Sequence, residues 1–210
     1  NPEIMKREFG VIGEQLYAMS WGVDRSIIRN KYIPTAKSYS NSQVLNRDYY
    51  DQRQIEIVIR EIGEQVAARI RAHDLRTGRI ALFIGYSFDS IDLDHPRGGF
   101  KVQKKISPTN DNHDLTTQLI DLFRSKWRGE GVRNIGVDYG NLSLDTSQQF
   151  TLFVKPTLQV KRKTLDKTVD NLRKKYGFSS VVKASSLLPG ATAIKRSKLV
   201  GGHNGGNAYE

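Results

Sequence analysis

Cysteine is absent from this 210-residue sequence. Its absence excludes disulfides, thiolate metal sites and cysteine nucleophiles, and it suits a reducing compartment, so we expect a cytoplasmic protein. No apolar run approaches the roughly 20 residues of a membrane span and no signal peptide opens the chain, so we expect no membrane partner. Because residues 1–3 (Asn-Pro-Glu) resemble the interior of a protein, we expect a fragment of a longer chain.

Catalytic motifs are also missing. The sequence contains no phosphate-binding G-x-x-x-x-G-K-[ST] loop, no G-x-G-x-x-G and no G-x-S-x-G. One local cluster, Asp89, Asp92, Asp94 and His95, has metal-ligating types, but its spacing favours an acidic, solvated loop. Asp138 is the only carboxylate at the centre of a predicted strand, whereas two-metal phosphoryl transfer needs several that converge. We therefore expect no catalytic residue, no metal site and no cofactor in this chain.

Positive charge is unevenly distributed along the chain. The sequence has 33 basic and 22 acidic side chains, a net charge of +11. Residues 155–200 hold 12 of the basic side chains and only two of the acidic ones. A basic segment beside a nearly neutral body favours a polyanionic partner, most often nucleic acid, although a solubilising basic tail remains an alternative.

Hydrophobic periodicity divides the chain into two parts. Apolar residues three to five positions apart predict a helix over 3–21, and a polar, basic linker containing Pro34 follows it. From residue 37 onward, alternating and helical patterns predict, in order, strand 37–45, helix 52–73, strand 79–87, strand 100–106, helix 112–128 and strand 132–142.

This order, β-α-β-β-α-β, predicts an α+β fold of the ferredoxin-like, split βαβ type. In it, a four-stranded antiparallel sheet carries two helices on one face and leaves the other face free. After residue 145 the regularity is lost, apart from a possible short helix over 163–176 and a possible strand over 179–184. The last residues, rich in glycine, are expected to fray.

The free face is the best candidate for a binding site, because several strand residues carry charge or hydrogen-bond donors. Lysine charge gives affinity for phosphate, and hydroxyl and amide donors fix the register on a backbone. An ordinary solvated face is the alternative interpretation. The candidate DNA-binding residues are Ser38, Ser40, Asn41, Ser42, Arg79, Lys101, Gln103, Lys104, Lys105, Arg133 and Asn134.

Three stretches of sequence resemble one protein family. Residues 9–24, FGVIGEQLYAMSWGVD, are similar to the end of the thumb in Y-family translesion DNA polymerases, above all in the UmuC-like (ImpB/MucB/SamB) branch. Residues 37–49, KSYSNSQVLNRDY, and 133–137, RNIGV, resemble the first and last strands of that family's little finger domain. The ending 195–203, KRSKLVGGH, also resembles a UmuC-type tail.

The resemblance implies a domain order and a parent protein. It makes residues 1–24 the end of a helix-hairpin-helix thumb, 25–36 a linker, 37–145 the little finger and 156–210 a basic tail. It implies a DNA-directed DNA polymerase of SOS mutagenesis, with a palm that binds magnesium outside this chain, so the fragment should be inactive alone. The expected partners are a primer-template DNA duplex, held by its phosphates, and possible accessory damage-response proteins.

A short apolar segment, 146–155, suggests a second partner. Gln149, Phe150, Thr151, Leu152 and Phe153 resemble the pentapeptide that binds the bacterial sliding clamp. Leucine and phenylalanine can fill an apolar pocket while glutamine forms a hydrogen bond at its edge. The alternative is a plug that packs on its own domain.

A different class of function also fits the fold. The chain could be a stand-alone RNA-binding protein of ferredoxin-like fold, with no polymerase parent. Such sheets carry stacking aromatic residues on their central strands, and strand 100–106 offers only Phe100 at its start, which argues against this alternative.

Overall fold

The structure is a computed structural model, and it describes residues 1–24, 27, 29, 37–90, 98–146 and 155–198. The chain divides into two units, residues 1–35 and 36–210. The predicted linker at 25–36 therefore lies mostly outside the described residues. No helix in the described ranges is long and apolar enough to cross a membrane.

The first unit is a pair of helices, α1 (Pro2–Phe9) and α2 (Val11–Ser20), rather than the single helix predicted over 3–21. Gly10 separates them with a φ of 62°, a left-handed conformation that glycine adopts without strain. Gly13 is buried against Met5, whose backbone carbonyl any Cβ would overlap. The apolar residues that predicted the helix, including Phe9, Ile12 and Leu16, are largely exposed, since so short a unit cannot enclose them.

The second unit contains the predicted β-α-β-β-α-β order. Its elements are β1 (Ser38–Tyr49), α3 (Gln52–Arg71), β2 (Leu75–Tyr86), β3 (Gly99–Thr109), α4 (Asn112–Lys126) and β4 (Val132–Leu144). The strands form one antiparallel sheet in the order β1-β4-β2-β3. The predicted fold class is therefore confirmed, and β2 and β4 are its central strands.

The core lies between one face of the sheet and the two helices. The stripe predicted on α3, from Ile55 to Ile70, is completely buried, as are Leu115, Leu119 and Phe123 of α4. Ile80, Leu82 and Ile84 of β2 meet them from the sheet, and so do Ile135, Val137 and Tyr139 of β4. Because neighbouring strand residues point to opposite faces, the residues that alternate with the core residues lie on the other face of the sheet.

Two predicted boundaries inside the sheet were wrong. The strand predicted over 79–87 begins earlier, at Leu75, because the chain turns at 72–74. The strand predicted over 100–106 continues through Pro108 to Thr109. A proline is tolerated there because β3 is an edge strand. On its outer side an edge strand has no neighbour, so the missing N–H of proline need not cost a hydrogen bond between strands.

The C-terminal segment is ordered and packs on the helices. Helix α5 spans Pro156–Tyr176, which is longer than the predicted 163–176, and a short helix, α6, spans Ala193–Arg196. Residues 178–180 and 184–187 form single 3₁₀ turns where a strand was predicted. Glu61 of α3 accepts hydrogen bonds from the backbone N–H groups of Thr192 and Ala193, both at 2.9 Å, and so caps α6.

Buried ion pairs attach α5 to the domain. The guanidinium of Arg71, only 3% exposed, donates to Asp170 at 2.6 and 3.1 Å and lies 3.7 Å from Asp166. Asp166 in turn accepts the backbone N–H of Asn112 at 2.9 Å. Burial raises the pKa of Asp166 in spite of these contacts. The described part of the predicted basic tail, residues 156–198, thus packs on the rest of the second unit.

We expect Arg71→Met to lower the free energy of unfolding by about 3 kcal/mol, because it leaves two partly buried carboxylates without their cation. Chemical denaturation in urea measures this loss. Arg53→Met is the matched control, since Arg53 is an exposed arginine of the same helix. Equal stability of the two variants would contradict the account of how α5 is attached.

We expect the carboxyl group of Asp145 to make the free energy of unfolding depend on pH. Burial acts to raise the pKa of its carboxyl group, but hydrogen bonds from Lys163 and Asn110 and the nearby Arg76 outweigh burial and lower it. A lowered pKa stabilises the fold above the ordinary value of 3.8, and this stabilisation is lost as the pH falls through the lowered pKa. Urea titrations should show Asp145→Asn less stable than the wild type at pH 6, with a gap that closes below pH 3.8. A gap that is constant with pH would contradict this.

Candidate nucleic-acid interface

The open face of the sheet consists of four rows of aligned residues. The strand register places Ser38, Gly140, Arg79 and Lys105 in the first row, and Ser40, Asp138, Ala81 and Gln103 in the second. The third row is Ser42, Gly136, Phe83 and Lys101, and the fourth is Val44, Asn134, Gly85 and Gly99. These rows define what we call the open face.

The two edges of the open face differ in chemistry. Ser38, Ser40 and Ser42 are exposed along β1 and offer hydroxyl groups. Lys101 and Lys105 are exposed along β3, and neither forms an ion pair within the described ranges of the chain. Three strand spacings of about 4.8 Å separate these edges by about 14 Å. Hydroxyl donors and uncompensated ammonium groups are the side chains that contact phosphates.

Small residues make the centre of the open face shallow. Gly136 and Gly140 of β4 and Ala81 and Gly85 of β2 occupy half of the eight positions that the two central strands contribute to the four rows. A Cβ at Gly140 would overlap the guanidinium of Arg79, which therefore depends on this glycine for its position. With so few side chains rising from the centre, a broad partner can approach the backbone between the two polar edges.

Arg79 is held flat across the central strands. Its Nη2 lies 2.5 Å from Oδ1 of Asp138, and its Nη1 donates to Oε1 of Gln103 at 3.0 Å. Arg79 and Asp138 are each about one quarter exposed. Three residues that the sequence singled out, Arg79, Gln103 and Asp138, thus form one cluster.

Two predicted binding residues lie on the helix side of the sheet instead. The Nδ2 of Asn41 donates to Gln65 of α3 at 3.0 Å. The Nζ of Lys104 donates to Gln118 of α4 at 2.7 Å. The sequence showed that Lys104 shares a face with Val102 and Ile106, and the structure shows that this face is the one that packs on α4. Neither residue belongs to the open face.

The last two candidates lie on β4, where β4 begins. Arg133 is exposed and its Nη1 donates to Oδ1 of Asp48 at 3.2 Å, so its charge is partly compensated. Asn134 is half-buried in the fourth row, beside Val44 and Gly85.

Phe83 is an open-face residue that the sequence reasoning missed. It is 40% exposed at the middle of β2, next to Gly136 and Gly85. The sequence could have indicated this. Phe83 alternates with the buried residues Ile80, Leu82 and Ile84, and alternate residues of a strand point to opposite faces. Strand 100–106, whose lack of stacking residues argued against RNA binding, is an edge strand. On the central strands, Phe83 is the only aromatic residue of the four rows.

Five of the twelve cations between residues 155 and 198 are paired or buried. Lys163 pairs with Asp145 at 2.9 Å, Lys183 with Glu64 at 2.5 Å and Arg162 with Asp114 at 3.8 Å. Arg173 and Arg196 are buried. Part of the charge excess that suggested a polyanionic partner therefore serves to hold this segment in place.

Other sequence candidates can be located only in part. Asp92, Asp94 and His95 of the acidic cluster and all five residues of the clamp-like peptide lie outside the described residues. Among those described, Asp111, His113 and Asp114 come close enough to share a cation. Asp111 is the N-cap of α4 and accepts the backbone N–H of Asp114 at 3.0 Å, which explains its position without a metal.

Comparison with known proteins identifies the family. Residues 36–152 match the model of the impB/mucB/samB family C-terminal domain, which covers the whole sheet and both of its helices. The chain belongs to the impB/mucB/samB family. The resemblance seen in the sequence is thereby confirmed.

Curated relatives extend the similarity beyond this domain. The chain is 36% identical over 202 residues to the UV-damage repair protein UvrX of Bacillus subtilis (strain 168), and 28% identical over 202 residues to DNA polymerase IV 2 of the same strain. Each alignment covers 96% of this chain but 47% of the relative, so the chain spans about half the length of these proteins.

Among solved structures, one match is the domain in a "Complex of beta-clamp processivity factor and little finger domain of PolIV". It has a TM-score of 0.41 and 16% identity, covering 56% of this chain and 100% of that one. So weak a likeness carries no argument, and the impB/mucB/samB assignment depends on the sequence matches alone.

The open face predicts which lysines contact DNA. Replacing Lys101 and Lys105 together by Ala should weaken duplex binding equally on unrelated sequences. It should also reduce the slope of log K against log salt by about 0.9 for each phosphate that is no longer neutralised. Fluorescence anisotropy at several salt concentrations measures both effects. Lys104→Ala, on the helix side of the same strand, should behave as the wild type, and an equal loss in that variant would contradict the assignment.

Proposed function

We propose that this chain is the DNA-gripping, C-terminal part of an error-prone translesion DNA polymerase that acts in DNA damage repair and SOS mutagenesis. The observation that carries the proposal is the open face, with serine hydroxyls on one edge and uncompensated lysines on the other. Family membership supports it, as do relatives named for UV-damage repair and for DNA polymerase IV. The proposed ligand is the phosphate backbone of a primer-template duplex, which agrees with a cytoplasmic protein.

The geometry favours contact with two backbones over base reading. The two edges are about 14 Å apart by strand spacing, and the major groove of B-DNA is about 12 Å wide. A sheet that spans a groove of this width can place one edge near each backbone. Phosphate contacts carry no sequence information, so such a grip accepts a damaged template that base readout would reject.

Nucleotide transfer is assigned to the rest of the parent polymerase. The family implies a palm whose paired carboxylates bind magnesium, and these residues would lie outside this chain. Asp138, the carboxylate at the centre of β4, is paired with Arg79 instead. The chain therefore contributes binding and positioning to the proposed reaction.

The proposal has a second partner, the bacterial sliding clamp. It depends on the sequence of residues 149–153, which comes a few residues after the end of β4 at Leu144 and overlaps the end of the family match at residue 152. A clamp contact would hold the polymerase at the primer terminus while the open face holds the duplex. Accessory damage-response proteins are further proposed partners, with no residues assigned to them.

A binding and extension assay on the purified chain tests the main proposal. We expect duplex binding that differs little between unrelated sequences and weakens steeply with salt, because phosphates supply the affinity. Added magnesium and nucleotides should give no primer extension. Sequence-selective binding, stronger binding to single-stranded RNA than to duplex DNA, or extension by a contaminant-free preparation would each contradict it.

The clamp peptide has its own test. Replacing Leu152 and Phe153 by Ala should abolish binding to a bacterial sliding clamp in titration calorimetry, since paired apolar anchors at an interface can each contribute about 2 kcal/mol or more. Gln149→Ala should cost less, about 1 kcal/mol, because it removes one hydrogen bond. Duplex binding and thermal stability should not change. A double variant that unfolds would show a core segment, and one that binds the clamp equally well would exclude the motif.

A further inference from the structure

An ion pair occupies the centre of a face that otherwise suits an anionic ligand. Asp138 is the only acidic residue in the four rows of the open face. It lies on β4 beside Ser40 of β1 and Ala81 of β2, between the serine edge and the lysine edge. A carboxylate here repels phosphates on both sides, so its presence needs an explanation.

The arrangement around Arg79 shows what this carboxylate does. One Nη of the Arg79 guanidinium donates to Asp138 at 2.5 Å, and the other donates to Gln103 at 3.0 Å. Gly140 leaves room for the guanidinium to lie directly on β4. The three contacts direct Arg79 along the sheet toward protein acceptors, while its row neighbours Lys105 and Ser38 stand at the edges.

We propose that Asp138 restrains the strength of the DNA grip by occupying Arg79 in place of a backbone phosphate. This inference deepens the proposed function and rests on it. The carboxylate presents an anionic oxygen to the guanidinium much as a phosphate would. With Arg79 and Asp138 paired, the net charge at the centre is zero, and the duplex is held by the edges alone.

A restrained grip suits a protein that moves along its ligand. Affinity that comes from phosphate neutralisation rises with every uncompensated cation, and each further contact makes release slower. The ion pair prevents Arg79 from binding a phosphate, while Gln103 and Gly140 fix the position of its guanidinium.

The test compares variants that each lack one carboxylate charge, on the open face or on the helix side of the sheet. Asp138→Asn keeps a hydrogen-bond acceptor for Arg79 and removes only the charge, and Asp138→Ala removes both. Glu64→Gln is the matched control, because Glu64 also pairs with one basic side chain, Lys183, but lies on α3. Each variant is titrated by fluorescence anisotropy with duplexes of two unrelated sequences, between about 50 and 200 mM salt.

We expect both Asp138 variants to bind the duplex severalfold more tightly than the wild type at about 50 mM salt. Their salt slope should be steeper by about one unit, so that the gain shrinks about threefold by about 200 mM salt. Adding Arg79→Gln to Asp138→Asn should abolish the gain, which shows that it acts through the arginine. Glu64→Gln should match the wild type in affinity and slope.

The outcomes separate this inference from the proposed function. If duplex binding by the wild type depends on Lys101 and Lys105 but the Asp138 variants bind like Glu64→Gln, the inference is overturned and the proposed function is not. Weaker binding by correctly folded Asp138 variants, checked by circular dichroism, also overturns it, since Asp138 would then position Arg79 for DNA. No wild-type duplex binding overturns both proposals.

Discussion

One-sided coverage of the sheet is the constraint on which the other features depend. Both helices pack on the face that carries Leu82 and Val137, because the connections of the β-α-β-β-α-β order bring them there. Among the described residues of the second unit, no helix or strand covers the alternate strand residues. An antiparallel sheet tolerates this, since one of its faces can stay solvated. The same pleat that buries the core thus produces the open face.

The central strands give this face its character. Their core side is bulky and apolar, whereas their other side consists of glycine and alanine with Phe83, Asn134 and the Arg79–Asp138 ion pair. The exposed polar groups of the edge strands are serine on β1 and lysine on β3. The result is a shallow surface with two polar borders, which differs from the aromatic platform that a single-strand RNA binder needs. Of the two function classes that the sequence allowed, this geometry and the impB/mucB/samB assignment both favour the DNA-gripping one.

Element order and the core could be predicted from the sequence, because long periodic stretches such as α3 have only one way to bury their apolar stripe. The face of each strand residue was partly predictable. Alternation separated Lys101 and Lys105 from Lys104, but only the packed helix shows which of these faces is covered. The strand order, and with it the central position of Phe83, depends on pairings between distant segments that local patterns do not encode.

The C-terminal segment was the least predictable part. Its charge excess suggested a basic tail that binds a polyanion, since composition reports the number of cations and not their partners. Arg71, on α3, meets Asp170 of α5 across 99 positions in sequence, and no local pattern announces such a pair. The same limit applied to Asp138, which looked like an isolated carboxylate until the register placed Arg79 beside it.

Lysine footprinting tests the central claim most directly, that the open face holds the duplex by its backbone. The intact protein is acetylated with and without duplex DNA, and modification at each lysine is followed by mass spectrometry. The account predicts strong protection of Lys101 and Lys105, with Lys104 and Lys183 modified at unchanged rates. Protection concentrated on the exposed lysines of α5, with Lys101 and Lys105 unprotected, would contradict it.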